Sequence, residues 1–179
     1  DKIEGRIKKL DEFITSMLDY ARVNRGETQS EQINLREIIQ DCIRELDHLE
    51  NFNAVKTEVQ VTNENLVFKN DPLRVRIIMS NIISNAYKYH NPAVKSKLKI
   101  NAAFNPMFME IVVSDNGIGI KSEHLKKIFN MFYRATEKSQ GSGLGMYIVK
   151  QAVDKLKGNI RVKSVFGKGT TIKIVIPNN

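Results

Sequence analysis

The chain has 179 residues, room for one ordinary domain plus an appendage. Hydrophobic residues make up 41% of it, enough for a core and too many for a disordered chain, and no run of about 18 apolar residues is present to span a bilayer. The net charge of +8 can steer anions, yet the sequence has no aromatic-interleaved basic patch, zinc-ligand spacing or basic recognition helix, so nucleic acid is not an expected partner. The single cysteine, Cys42, cannot form an internal disulfide and no signal peptide is visible, so a reducing, cytoplasmic setting is expected.

The chain opens at Asp1 inside a helical pattern, and we expect a fragment whose upstream part is missing. Ile3, Ile7, Leu10, Ile14, Met17 and Ala21 are spaced as a/d positions over three heptads, the pattern of a bundle or coiled-coil helix over residues 1 to 24. Gly26 is a good stop. Such a seam needs a partner, unless the helix folds back on its own domain. Residues 26 to 32 read as a linker or short strand. Asn34 followed by Glu37 resembles a capping box, and Leu35, Ile38, Cys42, Leu46 and Leu49 mark an amphipathic helix after it.

Val55, Val59 and Val61 predict a strand, and Leu66 to Lys69 another. Asp71 caps a helix with Pro72 in its first position, running to about Tyr89. Strands are expected at 98–104 and 109–114 around an Asn105-Pro106 turn, with Lys95, Lys97 and Lys99 alternating outward just before and along the first of them. A short helix is expected at Glu123 to Phe129, a longer one from Leu144 to Leu156, and a closing hairpin at 160–165 and 170–176. No regular βαβ alternation occurs. The expected fold is α+β, a two-layer sandwich in which one mixed, mostly antiparallel sheet is covered by helices on one face, preceded by a bundle helix. The domain division expected is 1–26 and 27–179.

Three constellations carry chemistry. Asn81, Asn85 and Lys88 stand at i, i+4 and i+7 on the Pro72 helix, within about 60° of arc, on an otherwise apolar helix. An amide oxygen suits Mg²⁺ and an ammonium suits phosphate, although the exposed side of an amphipathic helix would look the same. Asp115-Asn-Gly-Ile-Gly119 follows a strand, so a carboxylate at the strand end can accept from an amino group such as that of adenine; an ordinary turn is the alternative. Gly141-Ser-Gly-Leu-Gly145 opens a helix and can present backbone N–H groups to phosphate. It is not the dinucleotide fingerprint, and no P-loop occurs anywhere.

In their order along the chain these motifs resemble the catalytic and ATP-binding domain of bacterial sensor histidine kinases, within the fold shared with gyrase-type ATPases. Asn81-Ile-Ile-Ser-Asn-Ala-Tyr-Lys88 resembles the N box, Asp115 to Gly119 the G1 box, and Ile128-Phe-Asn-Met-Phe-Tyr-Arg134 the F box. Gly141 to Gly145 resembles the G2 box, and Gly167-Lys-Gly-Thr170 the closing glycine turn. The resemblance implies that Asp115 binds the adenine amino group, with Gly117 and Gly119 beside it. Asn85 would ligate Mg²⁺ with Asn81 assisting, Lys88 would contact phosphate and Tyr89 would flank the nucleotide. Gly141, Gly143, Leu144 and Gly145 would lie under the phosphates, with Thr170 also at the nucleotide. Residues 130 to 140 would form a lid anchored by Phe129 and Phe132, and Arg134 would stabilise charge on the transferred γ-phosphoryl group.

Met17-Leu-Asp-Tyr-Ala-Arg22 resembles the end of the second helix of the family's dimerisation and histidine-phosphotransfer domain. The phosphoacceptor pattern, a histidine followed by an acidic residue and then a proline, matches none of His48, His90 or His124. The resemblance therefore implies phosphoryl transfer from ATP to a histidine outside this chain, on a helix of its own full-length dimer. It also implies a response-regulator receiver domain as downstream partner, in the cytoplasm or in the cytoplasmic part of a membrane-bound sensor. The alternatives are a gyrase- or chaperone-type ATPase and an anti-sigma-type protein-serine kinase on the same fold. The ATPases use a glutamate four residues before the metal-binding asparagine; here that position is Asn81, and an amide is a poor proton acceptor.

Overall fold

The computed structural model describes residues 2–27, 29–49, 51–135 and 141–179. Helix α1 spans Lys2–Asn24, followed by strand β1 (Glu31–Gln32), helix α2 (Leu35–Arg44), strands β2 (Val55–Thr62) and β3 (Lys69–Asn70), and helix α3 (Pro72–Lys88). Strands β4 (Ser96–Phe104) and β5 (Phe108–Asp115), helices α4 (Ser122–Leu125) and α5 (Gly145–Lys155), and strands β6 (Asn159–Val165) and β7 (Gly169–Pro177) complete the chain. The main sheet has five strands in the order β2-β4-β5-β7-β6; β2 pairs parallel to β4 and every other pair is antiparallel. The expected α+β sandwich with a mixed, mostly antiparallel sheet is what forms.

Alternation decides which face of the sheet is covered. Along β4, Leu98, Ile100, Ala102 and Phe104 are buried while Lys97, Lys99, Asn101 and Ala103 are exposed. Met109, Ile111 and Val113 on β5 and Ile172, Ile174 and Ile176 on β7 join the same core. Helices α3 and α5 close it with Ile78, Ile82, Ile83, Ile148, Val149 and Val153, each worth about 1.5–3 kcal/mol when fully buried. The two caps predicted from sequence are made. Asn34 accepts from the Glu37 N–H at 3.3 Å and donates to the Glu37 carboxylate at 2.9 Å. Asp71 accepts from the Arg74 N–H at 2.9 Å, with Pro72 in the first position.

Three elements are shorter than expected. Helix α2 stops at Arg44, and Leu46 and Leu49 are reached by i→i+3 turns, Leu46 N–H to Ile43 C=O and Leu49 N–H to Leu46 C=O, both 3.0 Å. The strand expected at Leu66 to Lys69 is only Lys69–Asn70, because its antiparallel partner is the two-residue β1. The helix expected at Glu123 to Phe129 is the single turn of α4, followed by i→i+3 turns through Tyr133.

Helix α1 folds onto the body of the chain, and not through its heptad seam. Ile7 (55% exposed), Leu10 (57%), Ile14 (48%) and Met17 (37%) face outward, and the Ile3 side chain lies outside the described residues. The inward face is Ser16, Tyr20 and Val23, with Phe13, 38% exposed, at its edge. Tyr20 packs its ring 5.9 Å from that of Tyr147 on α5, and Val23 is fully buried. The end of the helix is held by Arg74. Its buried guanidinium donates to the Val23 carbonyl through Nε (3.1 Å) and Nη2 (3.0 Å), and Nη2 also reaches the Arg25 and Gly26 carbonyls at 3.4 Å. The Val23 carbonyl is one that the helix terminus leaves unmet, and the other two follow it in the chain. Nη1 pairs with the buried Asp71 carboxylate.

Candidate nucleotide site

The stripe on α3 opens into a cavity of about 380 Å³, between α3, the loop after β5, the glycine segment before α5, and α1. Asn81, Asn85 and Lys88 are half-exposed on a helix whose neighbouring Ile77, Ile78, Ile82, Ile83 and Ala86 are buried. Asn81 donates from Nδ2 to the Ile77 carbonyl at 2.8 Å, and its Oδ1 would lie 2.9 Å from a Cβ at Gly145, at the start of α5. Asn85 and Tyr89 line the cavity, and Lys88 points Nζ at the Glu12 carboxylate of α1, 3.6 Å away.

Asp115 ends β5, paired with Thr170 on one side and Leu98 on the other. Its Oδ1 accepts from the N–H of Gly117 at 2.8 Å and of Thr170 at 3.3 Å. Among the described residues no hydrogen bond engages Oδ2, which leaves an acceptor for a ligand. Burial raises the Asp115 pKa above the ordinary value of 3.8, and the two N–H donors offset part of that. Neighbours force the shape of the following turn. Asn116 pins it to β4, accepting from the Lys97 N–H at 2.7 Å and donating to the Lys95 carbonyl at 2.9 Å. Gly119 has φ +66°, and a Cβ there would meet the Val165 carbonyl oxygen at 2.2 Å. Gly117 does not take a positive φ, and its lack of a side chain matters because a Cβ would fall 2.4 Å from the Tyr89 carbonyl oxygen.

Gly141, Gly143 and Gly145 lie on the cavity wall, while Leu144 is buried behind them and starts α5 by accepting from the Ile148 N–H at 2.8 Å. Thr170 reaches the cavity and its hydroxyl meets Ser164 at 2.9 Å. Arg134 lines the cavity from an exposed position. The two phenylalanines expected to anchor a lid are not on the cavity wall. Phe129 is half-buried beside it, and Phe132 is exposed with φ +60° and stacks on Phe13 of α1, ring centroids 6.5 Å apart. Of the expected lid, residues 136–140 lie outside the described residues.

Several contributors carried no motif. Ser164 Oγ accepts from the Ile120 N–H, donates to the Gly169 carbonyl (both 2.8 Å) and meets Thr170, tying the β6–β7 hairpin to the loop after Asp115. His124 Nδ1 lies 2.7 Å from the Tyr133 hydroxyl, at the root of the expected lid. Val113, Met146 and Ile172 supply apolar wall. The α1 residues Glu12, Ser16 and Asp19 also face the cavity.

A two-layer fold with an aspartate at a strand end, an asparagine-lysine stripe on a helix and a glycine segment opening another defines a nucleotide-binding class without a P-loop. Residues 70–179 match the family described as histidine kinase-, DNA gyrase B- and HSP90-like ATPase, and the chain belongs to that family. It is 33% identical over 180 residues to the sensor protein kinase WalK of Staphylococcus saprophyticus, covering 95% of this chain and 29% of that protein. It is 34% identical over 134 residues to the sensor protein RprX of Bacteroides fragilis, covering 72% of this chain and 25% of the relative. The chain thus spans less than a third of these relatives' length. Among solved structures, the mycobacterial sensor histidine kinase MprB superposes with a TM-score of 0.70 at 27% identity, over 84% of this chain and 99% of the other. Among the described residues no helix is long and apolar enough to cross a membrane.

Proposed function

We propose that this chain is the ATP-binding catalytic domain of a sensor histidine kinase, residues 27–179, carried behind the end of a dimerisation helix, residues 1–26. The observation that carries the reading is Asp115, whose second carboxylate oxygen is left to accept from the adenine amino group at the base of a cavity with an apolar wall. Similarity to sensor kinases of known name supports the choice of kinase over other members of the family.

Lys88 and Arg134 offset the charge of the polyphosphate, and the N–H groups around Gly141, Gly143 and Gly145 cradle it. The donor set fits a magnesium ion carried in with the nucleotide. Mg²⁺ keeps several waters and takes one or two protein oxygens besides phosphate, and Asn85 offers such an amide oxygen on the cavity wall, with Asn81 behind it. When bound, the ion neutralises charge on the phosphate oxygens. The bond broken is the one between the γ-phosphorus and the β,γ-bridging oxygen; the bond formed is from that phosphorus to an imidazole nitrogen of a histidine outside residues 1–179. The phosphohistidine then passes its phosphoryl group to a response-regulator receiver domain, in the cytoplasm. Hydrolysis is disfavoured because Asn81 offers no basic carboxylate and commits its Nδ2 to the Ile77 carbonyl.

Incubation with γ-labelled ATP tests this. The chain alone takes no label, because His48, His90 and His124 are not acceptors, and a separate protein bearing the histidine hairpin becomes labelled when the chain is added. Acid-labile label on any of those three histidines, or steady phosphate release without an acceptor, contradicts the proposal.

A further inference from the structure

One wall of the cavity is the wrong charge for a polyphosphate. The other walls bring the cations Lys88, Lys121 and Arg134. Helix α1 brings carboxylates: Glu12 and Asp19 flank Ser16 at i, i+4 and i+7, so all three share one face of the helix. Asp19 is partly balanced by Arg22, 3.5 Å away on its own helix, and burial still raises its pKa. Among the described residues Glu12 takes its counter-charge from the site itself, through Lys88 Nζ at 3.6 Å, with each side chain only about a quarter exposed (27% and 25%).

The same helix touches both ends of the phosphate segment. Phe13 stacks on Phe132, in the first part of the expected lid, and Ser16 Oγ lies 3.0 Å from the hydroxyl of Ser142, between the glycines after it. These two ends also press on each other, since a Cβ at Gly143 would come within 2.8 Å of the Phe132 carbonyl carbon. Seated α1 therefore holds Phe132 and Ser142 and puts an anion beside the cation assigned above to phosphate.

We propose that Glu12 is a specificity-determining residue that ranks nucleotides by phosphate charge: with α1 seated, the cavity disfavours each added phosphate, so the triphosphate is the ligand that drives α1 off. This rests on the reading that Lys88 meets phosphate. An ion pair of this exposure is a modest opponent, so the ranking is a bias and not a block. Linkage makes it reciprocal: what disfavours the triphosphate on the seated form makes the triphosphate disfavour seating.

The test uses the 179-residue chain and titrates adenosine, ADP and a non-hydrolysable ATP analogue at one Mg²⁺ concentration. Glu12→Gln should tighten the ATP analogue about two- to fivefold, ADP by less, and adenosine not at all. Lys88→Ala, run in parallel, should weaken the ATP analogue relative to adenosine. Glu12→Gln without effect on the ranking, beside a selective loss in Lys88→Ala, overturns the charge ranking and leaves the site reading standing. Both variants without effect overturn the phosphate role of Lys88 and the ranking with it. Seating is read independently with Ser16→Cys/Ser142→Cys: disulfide formation should slow with the ATP analogue and stay unchanged with adenosine, and equal rates with the two ligands overturn the proposal.

Discussion

Replacing Asp115 by asparagine separates binding from folding. Asparagine keeps an oxygen at the Oδ1 position, so the hydrogen bonds from Gly117 (2.8 Å) and Thr170 (3.3 Å) survive and the turn keeps its shape. The Oδ2 position becomes an NH₂ group, a donor set against the amino group of adenine. Losing that hydrogen bond with both donors left unmet costs about 1–3 kcal/mol, or roughly five- to 150-fold in Kd. Stability should move the other way. Burial raises the Asp115 pKa above 3.8, so its carboxyl contributes fully to folding below that value, and the contribution is lost as pH rises through the folded pKa. At neutral pH the ionised group is a cost to the unliganded protein. Asp115→Asn should therefore leave apo stability at pH 7 equal or higher while weakening nucleotide binding, measured by urea unfolding and by calorimetric titration. A stability loss comparable to the binding loss would show that Asp115 is a turn residue only, and unchanged affinity would remove the adenine role.

Asn85→Ala should weaken Mg-ATP more than adenosine; a loss by the same factor for both assigns Asn85 to structure. Arg74→Met leaves the buried Asp71 without its ion-pair partner and the end of α1 without its side-chain cap, and should cost about 3–5 kcal/mol in urea unfolding. A loss below about 1 kcal/mol would mean that water takes over those bonds. Leu10→Glu with Ile14→Glu should abolish self-association through the exposed seam, followed by sedimentation at rising concentration, with ATP affinity nearly unchanged. Association that persists would place the contact elsewhere.

The parts of the site legible in the sequence obey local rules. The spacing of Asn81, Asn85 and Lys88 places them on one helix face, and the caps at Asn34 and Asp71 need only their neighbours within three residues. The place of Asp115 at a strand end was legible because a strand pattern ran into a turn sequence. Ser164 was not: it sits on a strand at an ordinary alternating position, and its three partners come together only when β6 closes on β7 and on the loop after β5. The face by which α1 seats was hidden for a different reason. Its heptad stripe pointed to one face, whereas Phe13, Ser16 and Tyr20 use another, and the Ser16 contact joins residues 126 positions apart. The short β3 was over-read because strand length is set by the partner, and β1 offers two residues.

Arg74 gives α1 the mechanics of a lever. The guanidinium grips the Val23 carbonyl in the helix's last turn twice over, so that end is a fulcrum set into α3. Ser16 lies about 10 Å along the rod from Val23 and Lys2 about 30 Å, at 1.5 Å per residue. A swing of about 3 Å at Lys2 therefore reaches Ser16 as about 1 Å. That reduction suits the load, because separating two hydroxyls 3.0 Å apart needs little travel. The long arm converts a weak pull applied far from the nucleotide into a larger force at the glycine segment.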